Sequence, residues 1–260
     1  MPPRIDPLPR VAPTVKHPVT VNVRTLPANG HVPTHAHDWA QLACTLRGAV
    51  RLRAAQTTWI VPPTRAVWIP PRVEHEVNLI GEVALRTVYV DAGAAPRSLT
   101  TCEVIDVSCL MRELIETLAA VDRRTQALRY NLLTGLLLEE MRIAPTLSLD
   151  LPLPQDRRLR ALCEALLEDP GAGFGLEGWA LRVGASPRTL ARLFREELGM
   201  TFGQWRQRVR LAQAAALVSG GSSLASVAAS LGYESASAFS AMFKRALGRS
   251  PREFFGGEPQ

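Results

Sequence analysis

The chain has 260 residues, 47% of them hydrophobic, and a formal net charge of +6. That length allows one large or two ordinary domains with real cores, and no apolar run approaches the roughly 18 residues of a membrane span. Cys44, Cys102, Cys109 and Cys163 form no C-x-x-C pair, which argues against a zinc knuckle and fits a reducing cytoplasm.

The opening segment, MPPRIDPLPR, lacks the apolar stretch of a signal peptide. Residues 1–16 carry no periodicity and are expected to form a mobile arm. From about 17 to 90 the chain reads as strands: VTVNVRTL, QLACTLRGAVRLRA, TTWIVPP, RAVWIPP and EVALRTVYVDA are short alternating or apolar runs punctuated by Gly and Pro. Such spacing predicts a small barrel or sandwich. Residues 107–143 change period. Leu110, Leu114, Leu118 and Val121 share one helix face, and Leu128, Leu132, Leu136 and Met141 share the next. A helix pair is predicted, with more apolar surface than one face needs. The surplus suits either cover for the strands or a homodimer interface. APTLSLDLPLPQD, residues 144–156, has three prolines and no helical period, and is expected to be a linker.

Beyond it the chain repeats itself. GWALRVGASPRTLARLFREELGMT (178–201) aligns with SVAASLGYESASAFSAMFKRALGRS (226–250), with one extra residue in the second copy after the turn. Trp179 matches Val227, Val183 matches Leu231, Gly184 matches Gly232, Leu190 matches Phe239, Phe194 matches Phe243, and Leu198-Gly199 matches Leu247-Gly248. Each copy reads as helix, glycine turn, helix. Ser186-Pro187 is a cap followed by an N1 proline, and Ser235 and Ser237 are candidate caps in the second copy. WRQRVRLAQAAALV, between the copies, contains no breaker and predicts one connecting helix. A helix-turn-helix displays its second helix to the major groove. The charge balance supports this. All basic residues except Lys16 and Lys244 are arginine, which suits bidentate phosphate and base contacts as well as it suits GC-rich coding.

These residues, above all LARLFREELGMTFGQWRQRVRLAQA and VAASLGYESASAFSAMFKRALGRSPREF, resemble the DNA-binding domain of the AraC/XylS family of bacterial transcription regulators over residues 156–255. The resemblance implies two recognition helices in successive major grooves, spaced roughly 34 Å. Carried residue by residue, it makes Arg188 and Arg192 base-edge contacts, with Ala191 facing a thymine methyl. Thr189 then contacts phosphate or caps the helix, and Arg195, Arg206 and Arg210 add positive charge. In the second helix Ala236, Ala238 and Ala241 stand where longer polar side chains are usual. Ser235, Ser237, Ser240 and Lys244 therefore serve phosphate or short contacts, and the first helix is expected to specify sequence while the second positions the domain.

The same family implies a ligand-sensing, cupin-like N-terminal domain. GHVPTHAHDWAQLACTLRG, residues 30–48, is similar to the first cupin motif, and PPRVEH, residues 70–75, to the second. His35, His37 and Gln41 share strand parity, with Gln41 at the position of the usual Glu and His75 matching the fourth ligand. A neutral amide is a weak ligand, so the set admits, without requiring, a divalent metal such as zinc or iron. A small-molecule pocket lined by His35, His37, Trp39, Gln41 and His75 is the other reading, with Trp59 or Trp68 as its apolar wall.

The expected fold class is α+β in two domains. Residues 1–106 form a cupin-like β-barrel with its arm, 107–143 the helix pair, 144–156 the linker, and 157–256 an all-α domain with two helix-turn-helix motifs. The expected function is a cytoplasmic, homodimeric, effector-responsive transcription regulator that binds a promoter operator in double-stranded DNA and acts on RNA polymerase, with no membrane partner. The alternative is a metal-dependent, oxygenase-like cupin enzyme with a DNA-binding tail, for which Glu74 and Glu76 are the acid-base candidates.

Overall fold

The computed structural model describes residues 3–6, 11–54, 56–63, 65–147, 150–219, 222–247 and 250–251. Two compact units divide close to residue 150, with Gln56–Thr58 grouped with the second. The first contains β1 (Val19–Leu26), β2 (His31–His35), β3 (Ala40–Ala54), β4 (Thr57–Val61), β5 (Arg65–Ile69), β6 (His75–Val90), β7 (Glu103–Asp106), α1 (Cys109–Ala120), α2 (Ala127–Ile143) and β8 (Thr146–Leu147). The sheet order is β1-β6-β3-β5-β7-β8, with β2 also on β6 and β4 also on β3. Its spine is the antiparallel pair β3–β6, running from Ala40↔Val90 to Ala54↔His75. The register breaks around Gly48, whose φ of +71° and whose Cβ position, 2.4 Å from Glu82 O, both exclude a side chain. The bulge lets one long strand bend and keep its apolar residues on the inside.

Alternation then sorts the sheet into two faces. Val32, Ala43, Val50, Leu52, Trp59, Val67, Ile69, Val77, Leu79 and Val104 share one buried cluster, so the sheet rolls onto its own interior as the alternating runs predict. Leu42, Ala66, Trp68, Val88 and Val90 face the other way and pack on α1 and α2. This corrects one expectation. Trp68 lies under the helices, where its Nε1 donates to Leu99 O at 2.9 Å, and of the two Trp59 is the one on the histidines' side of the sheet.

Ser108 caps α1 by accepting from Met111 N and donates to Glu140. α1 buries Met111, Leu114, Ile115 and Leu118, and its Glu116 pairs with Arg86 of β6 at 2.5 Å. α2 buries Tyr130, Thr134, Leu137 and Met141. The expected inner face of α2 is therefore rotated: Leu128, Leu132 and Leu136 are 73%, 67% and 43% exposed. With apolar residues on nearly every side, the period alone leaves the rotation open. It is set by Tyr130, whose hydroxyl donates to Val19 O at 2.7 Å and accepts from Val19 N.

Two segments read as irregular carry pairing. In the arm, Ile5 N donates to His31 O and His31 N to Pro3 O. Gly30 leaves room for Ile5, since a Cβ there would lie 2.7 Å from its Cδ1. The segment 144–156 contains β8, which pairs with β7, and a short strand β9 (Asp150–Pro152).

The second unit is helical: α3 (Arg157–Glu168), α4 (Leu176–Val183), α5 (Pro187–Leu198), α6 (Phe202–Ser219), α7 (Leu224–Ser230) and α8 (Ala236–Leu247). α3 leads the pair α4–α5 and α6 leads α7–α8, so the repeat is a three-helix unit used twice. Trp179, Leu190 and Phe194 are buried in the first half, with Trp205 of α6 beside Phe194, and Val227, Leu231, Phe239 and Phe243 in the second. Gly248, Arg249 and residues 252–256 lie outside the described residues.

Candidate functional site

The first turn is built by local rules. α4 ends at Gly184, with φ +66°, and the amide of Ala185 donates to Ala180 O at 2.9 Å. Ser186 caps α5 by accepting from Thr189 N at 3.0 Å, and Pro187 follows at the first helical position. Leu190, Leu193, Phe194 and Leu198 are buried. The opposite face then shows Arg188, Arg192 and Arg195 to solvent, with Ala191 half-buried among them. Arg192 pairs with Glu196 one turn on. Thr189 Oγ1 lies 2.8 Å from Ser186 Oγ, which ties it to the cap.

The second turn repeats the hydrogen bond at the matching place, Tyr233 N to Ala228 O at 2.9 Å. Ser235 caps α8 by accepting from Ala238 N at 3.1 Å, while Ser237 sits inside the helix. The outer face of α8 carries Ser237, Ala238, Ala241, Lys244 and Arg245, all exposed, and half-buried Ser240.

Two expected DNA contacts are held within the protein. Arg206 Nη1 donates to Phe174 O at 3.2 Å and its guanidinium lies 4.9 Å from the Phe202 ring. Arg210 Nε donates to Pro170 O at 2.9 Å and its guanidinium stacks over Tyr233, 5.1 Å from the ring centre. Burial lowers the Arg206 pKa from its usual range. Arg210 thus bridges the α3–α4 loop to the turn of the second copy.

In the first unit, the ends of β2 and β6 and the start of β3 bring the histidines together. His35 pairs with His75 across β2–β6, and their rings are 4.2 Å apart. The His37 ring lies 5.2 Å from that of His75 and stacks on Trp39, 5.2 Å away with an 8° interplanar angle. The three imidazoles present ligand nitrogens within 4.8 Å of one another. Gln41 is buried, and its Oε1 is 2.9 Å from His37 Nε2. Burial pushes the His75 pKa down to about 4 and lowers that of His35, so both rings are neutral at pH 7.

Sequence reasoning missed Tyr89, whose ring meets His37 edge-on at 6.1 Å. The only signal for it is the cross-strand register Gln41↔Tyr89. Glu74 is exposed, and Glu76, one residue from His75 on a strand, faces away from it. Glu76 pairs with Arg53 and accepts from Thr34.

Comparison with known proteins places both halves. The family described as "AraC-like ligand binding domain" matches residues 21–137, and the one described as "Helix-turn-helix domain" matches residues 179–256. The HTH-type transcriptional regulator NimR of Escherichia coli (strain K12) is 35% identical over 224 residues, covering 85% of this chain and 81% of NimR. The arabinose operon regulatory protein of the same organism is 32% identical over 152 residues, covering 58% and 51%. Among solved structures, ToxT from Vibrio cholerae with bound unsaturated fatty acid aligns over 94% of this chain and 98% of ToxT, with a TM-score of 0.38 and 12% identity.

Proposed function

Because the chain belongs to the AraC family of DNA-binding transcriptional regulators with a ligand-binding N-terminal domain, we propose that α5 reads the operator and α8 docks the domain. One observation carries this division. Two equally built helices turn different chemistry outward, arginines at 188, 192 and 195 on α5 against short side chains at 237, 238 and 241 on α8. Arg188 and Arg192 take base edges, Ala191 a thymine methyl, and Arg195 and Thr189 the backbone. Ser235, Ser237, Ser240 and Lys244 contact phosphate. Arg206 and Arg210 hold the two halves in register instead of touching DNA.

The effector site is the pocket of His35, His37, Trp39, Gln41 and His75. It serves binding rather than catalysis: of Glu74 and Glu76, the acid-base candidates of an oxygenase-like enzyme reading, Glu74 is exposed and Glu76 lies on the other strand face, engaged by Arg53 and Thr34. Leu128, Leu132 and Leu136 form an exposed stripe on α2 that pairs with the same stripe of a second copy, giving a homodimer. No described helix is long and apolar enough to cross a membrane. The working site is a promoter in the cytoplasm, where bound regulator recruits or blocks RNA polymerase. By linkage the effector changes operator affinity only as far as it distinguishes the two states, about 1–3 kcal/mol.

Selection of binding sites from a random duplex pool, followed by footprinting, tests this reading. The expected result is a site with two protected grooves about one helical turn apart per chain, with the strongest base preferences under α5. Equal affinity for selected and random duplexes would overturn it.

A further inference from the structure

The two helix-turn-helix units are joined along the chain only through α6 and α7, yet the loop after α3 ties them a second time. Gly171 of that loop lies against the end of α7, where a Cβ on it would stand 2.4 Å from Ser230 O. A Cβ on Gly232, at the second turn, would stand 2.7 Å from Gly171 O. Backbone of the first half therefore rests on backbone of the second, with no side chain between them to give way. α6 holds the loop in that place with two arginines one turn apart. Arg206 donates to Phe174 O at 3.2 Å, and the Phe174 ring meets Trp179 of α4 edge-on at 5.7 Å. Arg210 donates to Pro170 O at 2.9 Å, and its guanidinium lies over Tyr233, whose ring is 5.7 Å from that of Phe239 in the first turn of α8. An unbroken run of contacts thus leads from α4, which carries α5, to α8.

We propose that this clamp sets the spacing of the operator: Arg206 and Arg210 are positioning residues that fix the step between the base pairs under α5 and those under α8. Adding one base pair between the two subsites moves the second groove about 3.4 Å along the duplex and about 35° around it. A second half that swung freely on α6 would follow that change, and spacing would carry no information. A half braced against the loop does not follow, and loses the α8 contacts. Each guanidinium has a loop carbonyl on one donor and an aromatic ring against its face, Phe202 for Arg206 and Tyr233 for Arg210. That engagement on two sides is what a brace requires. The specificity so gained needs no base edge, which suits a helix whose outward side chains at 237, 238 and 241 are short. The inference rests on the reading above that α5 and α8 enter two grooves of one operator; it adds that contacts inside the protein fix the step between them.

The test uses the full chain and the duplex recovered by selection, with base pairs added or removed between the two protected grooves, titrated over a salt series. The unsubstituted protein should lose at least about thirtyfold in affinity when one base pair is inserted. Arg210→Gln should bind the original and the altered duplex within about fivefold of each other, while its base preferences under α5 and its salt slope stay as they were. Tyr233→Ala breaks the far end of the same bridge without removing a charge and should behave alike. Tyr233→Phe keeps the ring and should keep the discrimination. Circular dichroism identifies a variant that does not fold, and Arg206→Gln, at the other brace, then carries the test with the same expected loss of discrimination. Equal loss on every spacing with an unchanged slope would make Arg210 a stabilising residue only. Equal loss with the slope reduced by about 1 would make it a phosphate contact. Either result overturns the clamp. An unsubstituted protein that prefers selected over random duplex but tolerates the insertion overturns this inference and leaves the DNA-binding reading standing. No preference for the selected duplex overturns that reading, and this inference with it.

Discussion

The first helix-turn-helix buries Trp179, Leu190 and Phe194 where the second buries Val227, Phe239 and Phe243. Both turns use a glycine of positive φ, the same backbone hydrogen bond and a serine cap. Outward, the two diverge: three arginines on α5, alanines and serines on α8. The requirements of the scaffold are local and repeat, whereas those of the DNA-facing surface do not constrain the core and are free to differ. Short side chains also let the α8 backbone approach a duplex closely, which suits positioning; long forked cations suit reading.

The sharpest way to break this comparison is at the shared core. Phe194→Ala and Phe243→Ala should each cost about 3–5 kcal/mol in denaturant unfolding of the full chain, because each ring is fully buried in an equivalent place. A cost below about 1 kcal/mol for either would show that the two copies are not structural equals. The turns come next, and they should differ. A Cβ on Gly184 meets nothing within 4 Å, while one on Gly232 lies 2.7 Å from Gly171 O. Gly184→Ala should cost about 1–2 kcal/mol, the left-handed backbone alone. Gly232→Ala should cost more, since backbone must shift against the loop that Arg210 holds. Equal losses would mean that the Arg210 bridge is not a fixed contact.

At the surface the comparison turns on DNA. Arg192→Ala should weaken operator binding by about 1–3 kcal/mol and relax preference at one base pair, as measured by titration on a panel of single-base variants. Lys244→Ala should instead weaken all sequences alike and reduce the salt slope by about 1. The reverse pattern would exchange the roles of α5 and α8.

What was legible in the sequence follows the same division between local and distant causes. Gly184, Ser186 and Pro187 announce their turn because each acts on its own backbone. His35, His37 and Gln41 share a face by parity, so their convergence was readable, and the cupin-like motif supplied His75. Tyr89 was not, because only the β3–β6 register brings it opposite Gln41. The bridge that Arg210 makes was not readable, since Pro170 and Tyr233, its partners, are far from it in sequence. In α2 the excess of apolar residues was visible, but the choice of inner face depended on one hydroxyl bonding to Val19. The choice between Trp59 and Trp68 stayed open for a related reason: a strand buried on both faces leaves no polar residue to mark its inner side.

The smallest expected effect separates the two halves by acid. Their leading helices are capped differently. α6 starts with a neutral capping box, Thr201 Oγ1 accepting from Gln204 N and Gln204 Oε1 accepting from Thr201 N. α3 starts with Asp156, which accepts from Arg158 N and Leu159 N and pairs with the Arg158 guanidinium. Chiefly through Arg158, the Asp156 carboxyl is held down at about 2. Its pKa is lower folded than unfolded, so the unfolded chain takes up the proton first as pH falls. The cap therefore contributes fully above about pH 4 and is lost as pH falls through about 2. Half-exposure and solvent screening limit it to about 1 kcal/mol. Asp156→Asn keeps a capping oxygen but cannot titrate. It should cost less than about 1 kcal/mol at pH 7 and flatten the acid limb of unfolding, whereas Thr201→Ala should lower stability by a similar amount at every pH. An unchanged acid limb in Asp156→Asn would show that the first half owes nothing at low pH to its charged cap, and the two leading helices would then be equivalent in this respect as well.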